Sequence, residues 1–170
     1  MYTIRLARED DVEKLPTIEL AAGLLFAVVG MADVAGGEPT DVATHRAALR
    51  RGLLWVAADD CDRPVGFALV EPLDGCAHLK EISVHPDHGR KGLGTRLLDA
   101  VVASARAAGL PAVTLSTFRD VAWNGPWYHR YGFRAFGEDE LTPGLREVRR
   151  REAASGLDVA ARFFMRLEVG

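Results

Sequence analysis

Apolar residues recur along this chain with two periods, and the switch between them predicts alternating strands and helices. Tyr2 to Leu6 alternates, with Tyr2, Ile4 and Leu6 on one face of a first strand. Glu9, Asp10 and Asp11 suit the first turn of a helix that follows, since carboxylates favour a helix N-terminus. Pro16 marks a later start or a bend in that helix. The apolar stretch Ile18 to Val29 is expected to pack on a sheet, and Gly36-Gly37-Glu38-Pro39 breaks the chain.

Asp41 to Arg51 reads as an amphipathic helix closed by Gly52. Leu53 to Ala58 and Pro64 to Val70 read as two strands joined across Asp59-Asp60-Cys61-Asp62-Arg63. Asp74-Gly75 ends the second, and the strand leading to Val84 completes a three-strand meander. A helix from Thr95 closes at Gly109, with Pro111 beyond it. Ala112 to Thr117 is the next strand, expected to lie parallel to a neighbour because strand, loop and helix precede it. Trp127 to Tyr131 is a short helix closed by Gly132, and Phe133 to Phe136 starts a strand. Leu141 to Ala154 is charged and helix-compatible, and Ala161 to Val169 alternates as a final strand. The elements imply an α+β chain built on one mixed, largely antiparallel sheet with helices on its faces.

Composition narrows the class. At 170 residues the chain is long enough for one domain with its own core, here taken as residues 1–170. Hydrophobic content of 48% and charged content of 26% are those of an ordinary soluble protein. A formal net charge of −3 argues against a nucleic-acid partner. No apolar run approaches the ~18 residues of a membrane span, so no membrane partner is expected. Leu20 to Val29 is too short, and too acidic on its upstream side, for a secretory signal. Cys61 and Cys76 form no disulfide framework or metal spacing, which favours reduced thiols in a cytoplasmic protein.

One stretch carries chemistry. Leu79 to Leu98 reads LKEISVHPDHGRKGLGTRLL: a strand stopped by Pro86 and Asp87, a cationic loop from His88, then the helix. Strand, basic glycine loop and helix N-terminus together offer unpaired backbone N–H groups to an anion. Arg90 and Lys91 add charge, and Gly92 and Gly94 let backbone approach a phosphate closely. The loop is not a P-loop, lacking Gly-Lys-Ser/Thr, and not a Rossmann fingerprint, lacking the third glycine and the ribose acid. Alone, it is equally compatible with a structural turn.

In context the run resembles the acetyl-CoA-binding segment of the GCN5-related N-acetyltransferase (GNAT) superfamily. There a strand ending in a V-x-P-like element precedes Gln/Arg-x-x-Gly-x-Gly/Ala at a helix start. This chain has Val84-His85-Pro86 and then Gly89-Arg90-Lys91-Gly92-Leu93-Gly94, with Gly89 at the Gln/Arg position and Arg90 one place later. A second stretch, Asn124 to Phe133, resembles the family's late helix, whose Asn lies near the cofactor and whose Tyr precedes a Gly-Phe pair. Asn124 stands four residues before Tyr128, where the family spacing is about seven, so Pro126 falls in the helix's first turn. The element order is similar to the GNAT fold from Ile4 to Val169, which implies a three-layer α/β/α arrangement.

The resemblance implies an N-acetyltransferase moving acetyl from acetyl-CoA to a primary amine by direct attack in a ternary complex, with no metal. Tyr128 is then the acid that protonates the departing sulfur, with Tyr131 as a competitor. Glu81 is the candidate base for the ammonium, or else a surface carboxylate paired with Lys80; His85 and His129 are further candidates. The cofactor-binding residues implied are Ile82, Ser83, Val84, Gly89, Arg90, Lys91, Gly92, Leu93, Gly94, Thr95, Asn124 and Tyr128. Main-chain groups of Ile82 and Val84 would pair with the pantetheine amides, and an N–H near Val84 would polarise the thioester carbonyl. His85, Asp87 and His88 imitate a metal cluster, but no distant third ligand is indicated.

The acceptor stays open: small amine, peptide or protein amine. Arg119, Asp120 and Trp123 are candidates to line its pocket. Glu138-Asp139-Glu140 would suit a cation and Arg146, Arg149, Arg150 and Arg151 an anion, although both runs read more simply as solvated surface. A non-catalytic acyl-CoA sensor is the alternative function, an unrelated phosphate-ligand domain is another, and monomer and homodimer both stand open.

Overall fold

A computed structural model describes residues 1–170. In chain order it contains β1 (Thr3–Leu6), α1 (Glu9–Val12), α2 (Leu15–Gly23), α3 (Leu25–Val28), α4 (Ala32–Ala35) and α5 (Val42–Arg50). The meander follows as β2 (Leu54–Ala58), β3 (Pro64–Leu73) and β4 (Cys76–Val84), then α6 (Leu93–Ala107) and β5 (Ala112–Phe118). The chain ends with α7 (Gly125–Tyr131), β6 (Arg134–Phe136), α8 (Pro143–Ala154) and β7 (Arg162–Glu168). The seven strands take the order β1-β2-β3-β4-β5-β7-β6, a largely antiparallel sheet of the α+β class that the pattern implies. Contacts group the residues into two compact units: Met1–Glu71 with Leu79–Ala103, and Pro72–His78 with Ser104–Gly170.

In the first unit β1 pairs antiparallel with β2, and β2 with β3, with an irregularity between Ala57 and Ala58. All five residues of β2 are buried. The core beneath it joins Leu15, Ile18, Ala48, Leu54, Val56, Phe67 and Leu69, which draws α2 and α5 onto the strands. Asp41 caps α5 by accepting from the Thr44 N–H at 2.7 Å. Gly66 is dictated by close approach: a Cβ there would stand 3.0 Å from the Ser83 carbonyl oxygen and 3.1 Å from Val84 Cγ2.

In the N-terminal region one expectation holds and another changes. Glu9, Asp10 and Asp11 form the first turn of α1, with Asp11 buried, and Pro16 marks the new start at α2, where it sits in the first turn. Asp11 accepts from Arg5 Nη1 at 2.7 Å and from the Arg8 N–H at 2.8 Å. Of the stretch Ile18 to Val29 only Ile18 is buried; Leu24 is 62% and Val28 83% exposed. Ile18 packs on the strands as expected, whereas the apolar residues beyond it are not buried.

In the second unit β5 pairs antiparallel with β7 through seven positions, from Ala112↔Glu168 to Phe118↔Arg162, and β6 adds to the other edge of β7. The first residues of β4 run parallel to β5, at Ala77↔Val113 and His78↔Thr114, as the crossover reading requires. His78 Nδ1 and Thr114 Oγ1, both buried, are 2.9 Å apart. Asp74 and Gly75 both have positive φ, 49° and 78°, as a two-residue hairpin turn needs. Asp74 then accepts from the Gly144 N–H at 2.9 Å and from the Thr142 hydroxyl, tying down the start of α8. Leu141, Leu145 and Phe164 form a small core there with Leu73, Phe136 and Val148 packed against it. Cys61 is exposed and Cys76 buried, both free.

Candidate active site

The first unit holds the glycine loop. After β4 the His85 N–H donates to the Val65 carbonyl at 2.8 Å, and Pro86 to His88 make one 3₁₀ turn. Gly89 is extended, and a Cβ on it would meet the Pro86 carbonyl oxygen at 3.1 Å. Arg90 and Gly92 are both left-handed, φ 58° and 73°. Only Gly92 adopts that conformation without strain.

The helix begins at Leu93, two residues before the expected Thr95, and its first bond runs from the Arg96 N–H to the Gly92 carbonyl at 3.1 Å. Helix geometry therefore leaves the N–H groups of Leu93, Gly94 and Thr95 without intrahelical partners, at the positive end of the dipole. Leu93 itself is buried and anchors the turn, while Gly92 and Thr95 are exposed. No atom lies within 4 Å of the place a Gly92 Cβ would take, so the backbone there faces open space.

Lys91 does not project alone. Its Nζ donates to the Tyr2 hydroxyl at 2.9 Å and lies 5.3 Å from the Tyr2 ring centroid. The same hydroxyl is 2.9 Å from His88 Nδ1, and Arg96 Nη2 donates to the Tyr2 carbonyl at 2.9 Å. Tyr2 is thus a support of the loop that sequence reasoning missed; it lies 89 residues from Lys91, and nothing local signals the contact.

On β4, Glu81, Ile82 and Val84 are half-buried and Ser83 is buried. The Ser83 hydroxyl donates to Glu81 Oε1 at 2.8 Å, so the shared face read from the alternation holds a carboxylate and its donor. His85 Nδ1 lies 3.7 Å from Asp87 and accepts from the Asp87 N–H at 3.2 Å. A cleft of about 410 Å³ in this unit is lined by Lys14, Ile18, Arg63, Val65, His85 and His88.

The second unit holds the tyrosine helix. Asn124 caps α7 with its backbone only, since its Oδ1 accepts from the buried Thr117 hydroxyl at 2.6 Å. Pro126 sits in the first turn, where its missing N–H costs nothing. Tyr128 is 7% exposed and packs edge-on to Trp127 and Phe133, with ring centroids 4.8 and 5.5 Å away. Its carbonyl accepts from the N–H groups of Gly132 and Phe133, closing the helix at a Gly132 with φ 126°. Tyr131 is half-buried and 6.0 Å from Phe133, so both tyrosines lie against one aromatic core. His129 is exposed.

Comparison with known proteins fits this geometry. Residues 50–135 match the sequence model of the family described as the acetyltransferase (GNAT) domain. The chain is 28% identical over 148 residues to S-(2-succino)cysteine N-acetyltransferase of Bacillus subtilis strain 168, covering 82% of this chain and 88% of that one. The fold is similar to that of a GNAT-family acetyltransferase from Staphylococcus aureus Mu50, with TM-score 0.74, 18% identity and 100% of both chains covered. It is similar also to N-acetylglutamate synthase from Neisseria gonorrhoeae, complexed with coenzyme A and N-acetyl-glutamate, with TM-score 0.74 and 16% identity. The whole of this chain matches there but spans only 35% of the synthase. No helix is long and apolar enough to cross a membrane. With the family model covering residues 50–135, the chain belongs to the GNAT family of N-acetyltransferases.

Proposed function

We propose that residues 1–170 act as one acetyltransferase domain that moves acetyl from acetyl-CoA to a primary amine by direct attack with both substrates bound. The observation that carries the reading is the turn after β4, where left-handed Arg90 and Gly92 lead into the N-terminus of a 15-residue helix. Three first-turn N–H groups, a dipole and a neighbouring guanidinium fit a pyrophosphate, and the open space at Gly92 lets one approach. Gly89 to Thr95 would hold that group, and main-chain groups of Ile82, Ser83 and Val84 would pair with the pantetheine arm as an added strand. Asn124 and Tyr128 complete the cofactor-binding set by resemblance.

Acetyl-CoA supplies the activated acetyl group as a thioester. Glu81, oriented by the Ser83 hydroxyl, takes the proton that an ammonium must lose before its nitrogen can attack. Tyr128 holds a proton for the departing sulfur: a phenol of pKa ~10 stays protonated at neutral pH, and a thiolate of pKa ~8.5 draws on it as charge develops. The B. subtilis relative is named an N-acetyltransferase of S-(2-succino)cysteine, which supports an amine as acceptor.

Calorimetric titration with acetyl-CoA, CoA and ATP tests the reading. Micromolar binding of both CoA species with ATP much weaker is expected, followed by thiol release on adding amines. No detectable CoA binding would remove it; tight CoA binding with no thiol release from any amine would make the domain an acyl-CoA sensor.

A further inference from the structure

The second unit contains a small cavity of about 110 Å³ whose walls are arginine and phenylalanine: Arg119, Arg149 and Arg162 with Phe136, Phe163 and Phe164. Liquid water occupies roughly 30 Å³ per molecule, so the space suits a carboxylate on a short stem and not a nucleotide. Each of the three guanidiniums lies over an aromatic ring. Arg119 Cζ lies 5.3 Å from the Phe163 centroid, Arg149 Cζ 5.1 Å from Phe164, and Arg162 Cζ 4.5 Å from Phe118.

Their charges are not fully matched. Arg162 donates to Glu152 at 2.9 Å and to the Ser116 carbonyl at 2.9 Å. Arg149 pairs with Glu138, which also lines the cavity, yet its Nε is buried with no hydrogen-bond partner. Arg119 donates only to the Ala160 carbonyl, at 3.1 Å, and has no carboxylate within ion-pair distance. Two acids therefore answer three guanidiniums, and one buried donor stays unsatisfied. A planar fork of N–H groups is the recognition element for a carboxylate.

The cavity also adjoins the tyrosine helix. A Cβ on Gly125, the first residue of α7, would stand 2.9 Å from the Phe163 ring and 2.7 Å from the Arg119 carbonyl oxygen. The wall of the cavity is thus the surface on which α7 starts, and Tyr128 follows three residues later, about one turn along.

We propose that this cavity is the subsite for a carboxylate of the amine acceptor, so that the acceptor class is amino acids and other amines that carry a carboxylate. The proposal rests on the acetyltransferase reading above and names its substrate. Thiol release with a panel of L-amino acids, each beside its C-terminal amide, tests it. Wild type is expected to favour acids over amides at least tenfold in kcat/KM. Arg119→Gln, an exposed position whose loss leaves the core intact, is expected to abolish that preference while the Kd for acetyl-CoA stays within twofold. Equal turnover of acids and amides would overturn the subsite while leaving the acetyltransferase reading standing. A large loss of acetyl-CoA affinity in Arg119→Gln would instead assign the cavity to the phosphates of the cofactor. Propionate, observed by saturation-transfer NMR, tests the cavity without turnover. A signal in wild type that disappears in Arg119→Gln is expected, and equal signals in both proteins overturn the proposal.

Discussion

Lys91 donates from Nζ to the Tyr2 hydroxyl at 2.9 Å, so one of the two cations in the glycine loop is already bound to the residue that precedes β1. Arg90 is exposed and carries its charge from a left-handed backbone, with no ion pair of its own. The two cations should therefore contribute unequally to an anion. Arg90→Ala is expected to raise the Kd for CoA about fivefold, and Lys91→Ala less than twofold. In a Tyr2→Phe background Lys91 is released, and Lys91→Ala should then cost more than it does in wild type. Calorimetry on wild type and the four variants checks this. Equal losses for Arg90→Ala and Lys91→Ala would show that Lys91 leaves Tyr2 at no cost when the cofactor binds.

Glu81 receives a hydrogen bond from Ser83 at 2.8 Å on a half-buried stretch of strand, which orients a carboxylate for proton abstraction. Glu81→Gln keeps the shape and the Ser83 contact but cannot take a proton. Activity should fall about 100-fold or more near neutrality and recover as rising pH deprotonates the amine without help. The kcat/KM profile between pH 6 and 10 decides it: a parallel, merely lowered profile would mean that Glu81 orders the strand and is not the base.

Tyr128 is packed between Trp127 and Phe133, and Phe at this position keeps the ring contacts. Tyr128→Phe is expected to lower kcat about 100-fold while the Kd for acetyl-CoA and the thermal midpoint stay near those of wild type. Loss of cofactor affinity with kcat retained would assign the hydroxyl to binding.

These sites differ in how readable they are from residue order alone. The turn at Gly92 is local: a left-handed residue before a helix calls for glycine, and the basic residues beside it are adjacent in the chain. Asp74-Gly75 and the Asp41 cap are legible for the same reason. Helix starts are less so, and α6 begins at Leu93 because an apolar anchor, fully buried, can enter the first turn ahead of Thr95. Contacts between distant residues leave no local trace. Tyr2 on Lys91 and Thr117 on Asn124 join segments whose patterns are complete without each other. The arginines of α8 read as solvated charge, yet Arg149 lies over Phe164, a ring from a later strand. Apolarity misleads in the opposite direction at Leu24 and Val28, which are hydrophobic and largely exposed.

His45 gives the last prediction. It is fully buried on α5, its ring edge-on to Phe67 at 5.0 Å, and neither ring nitrogen has a hydrogen-bond partner. Burial pushes its pKa down to about 4; Asp41 opposes the shift and Lys80 adds to it. The unfolded chain takes up this proton near the ordinary value of ~6.5, while the folded one holds the ring neutral down to about 4. Below pH ~6.5 the unfolded state therefore binds more protons, and stability falls as pH drops toward 4, by about 2 kcal/mol at pH 5. Glu19 works in the other direction, since burial raises its pKa above the ordinary carboxylate value. The comparison between variants isolates His45 from that effect. His45→Leu removes the titrating ring and its two unsatisfied nitrogens, so its stability should decline less between pH 7 and pH 5 than that of wild type. Urea midpoints measured across that range check it, and an identical pH dependence in the two proteins would mean that the ring reaches solvent before it titrates.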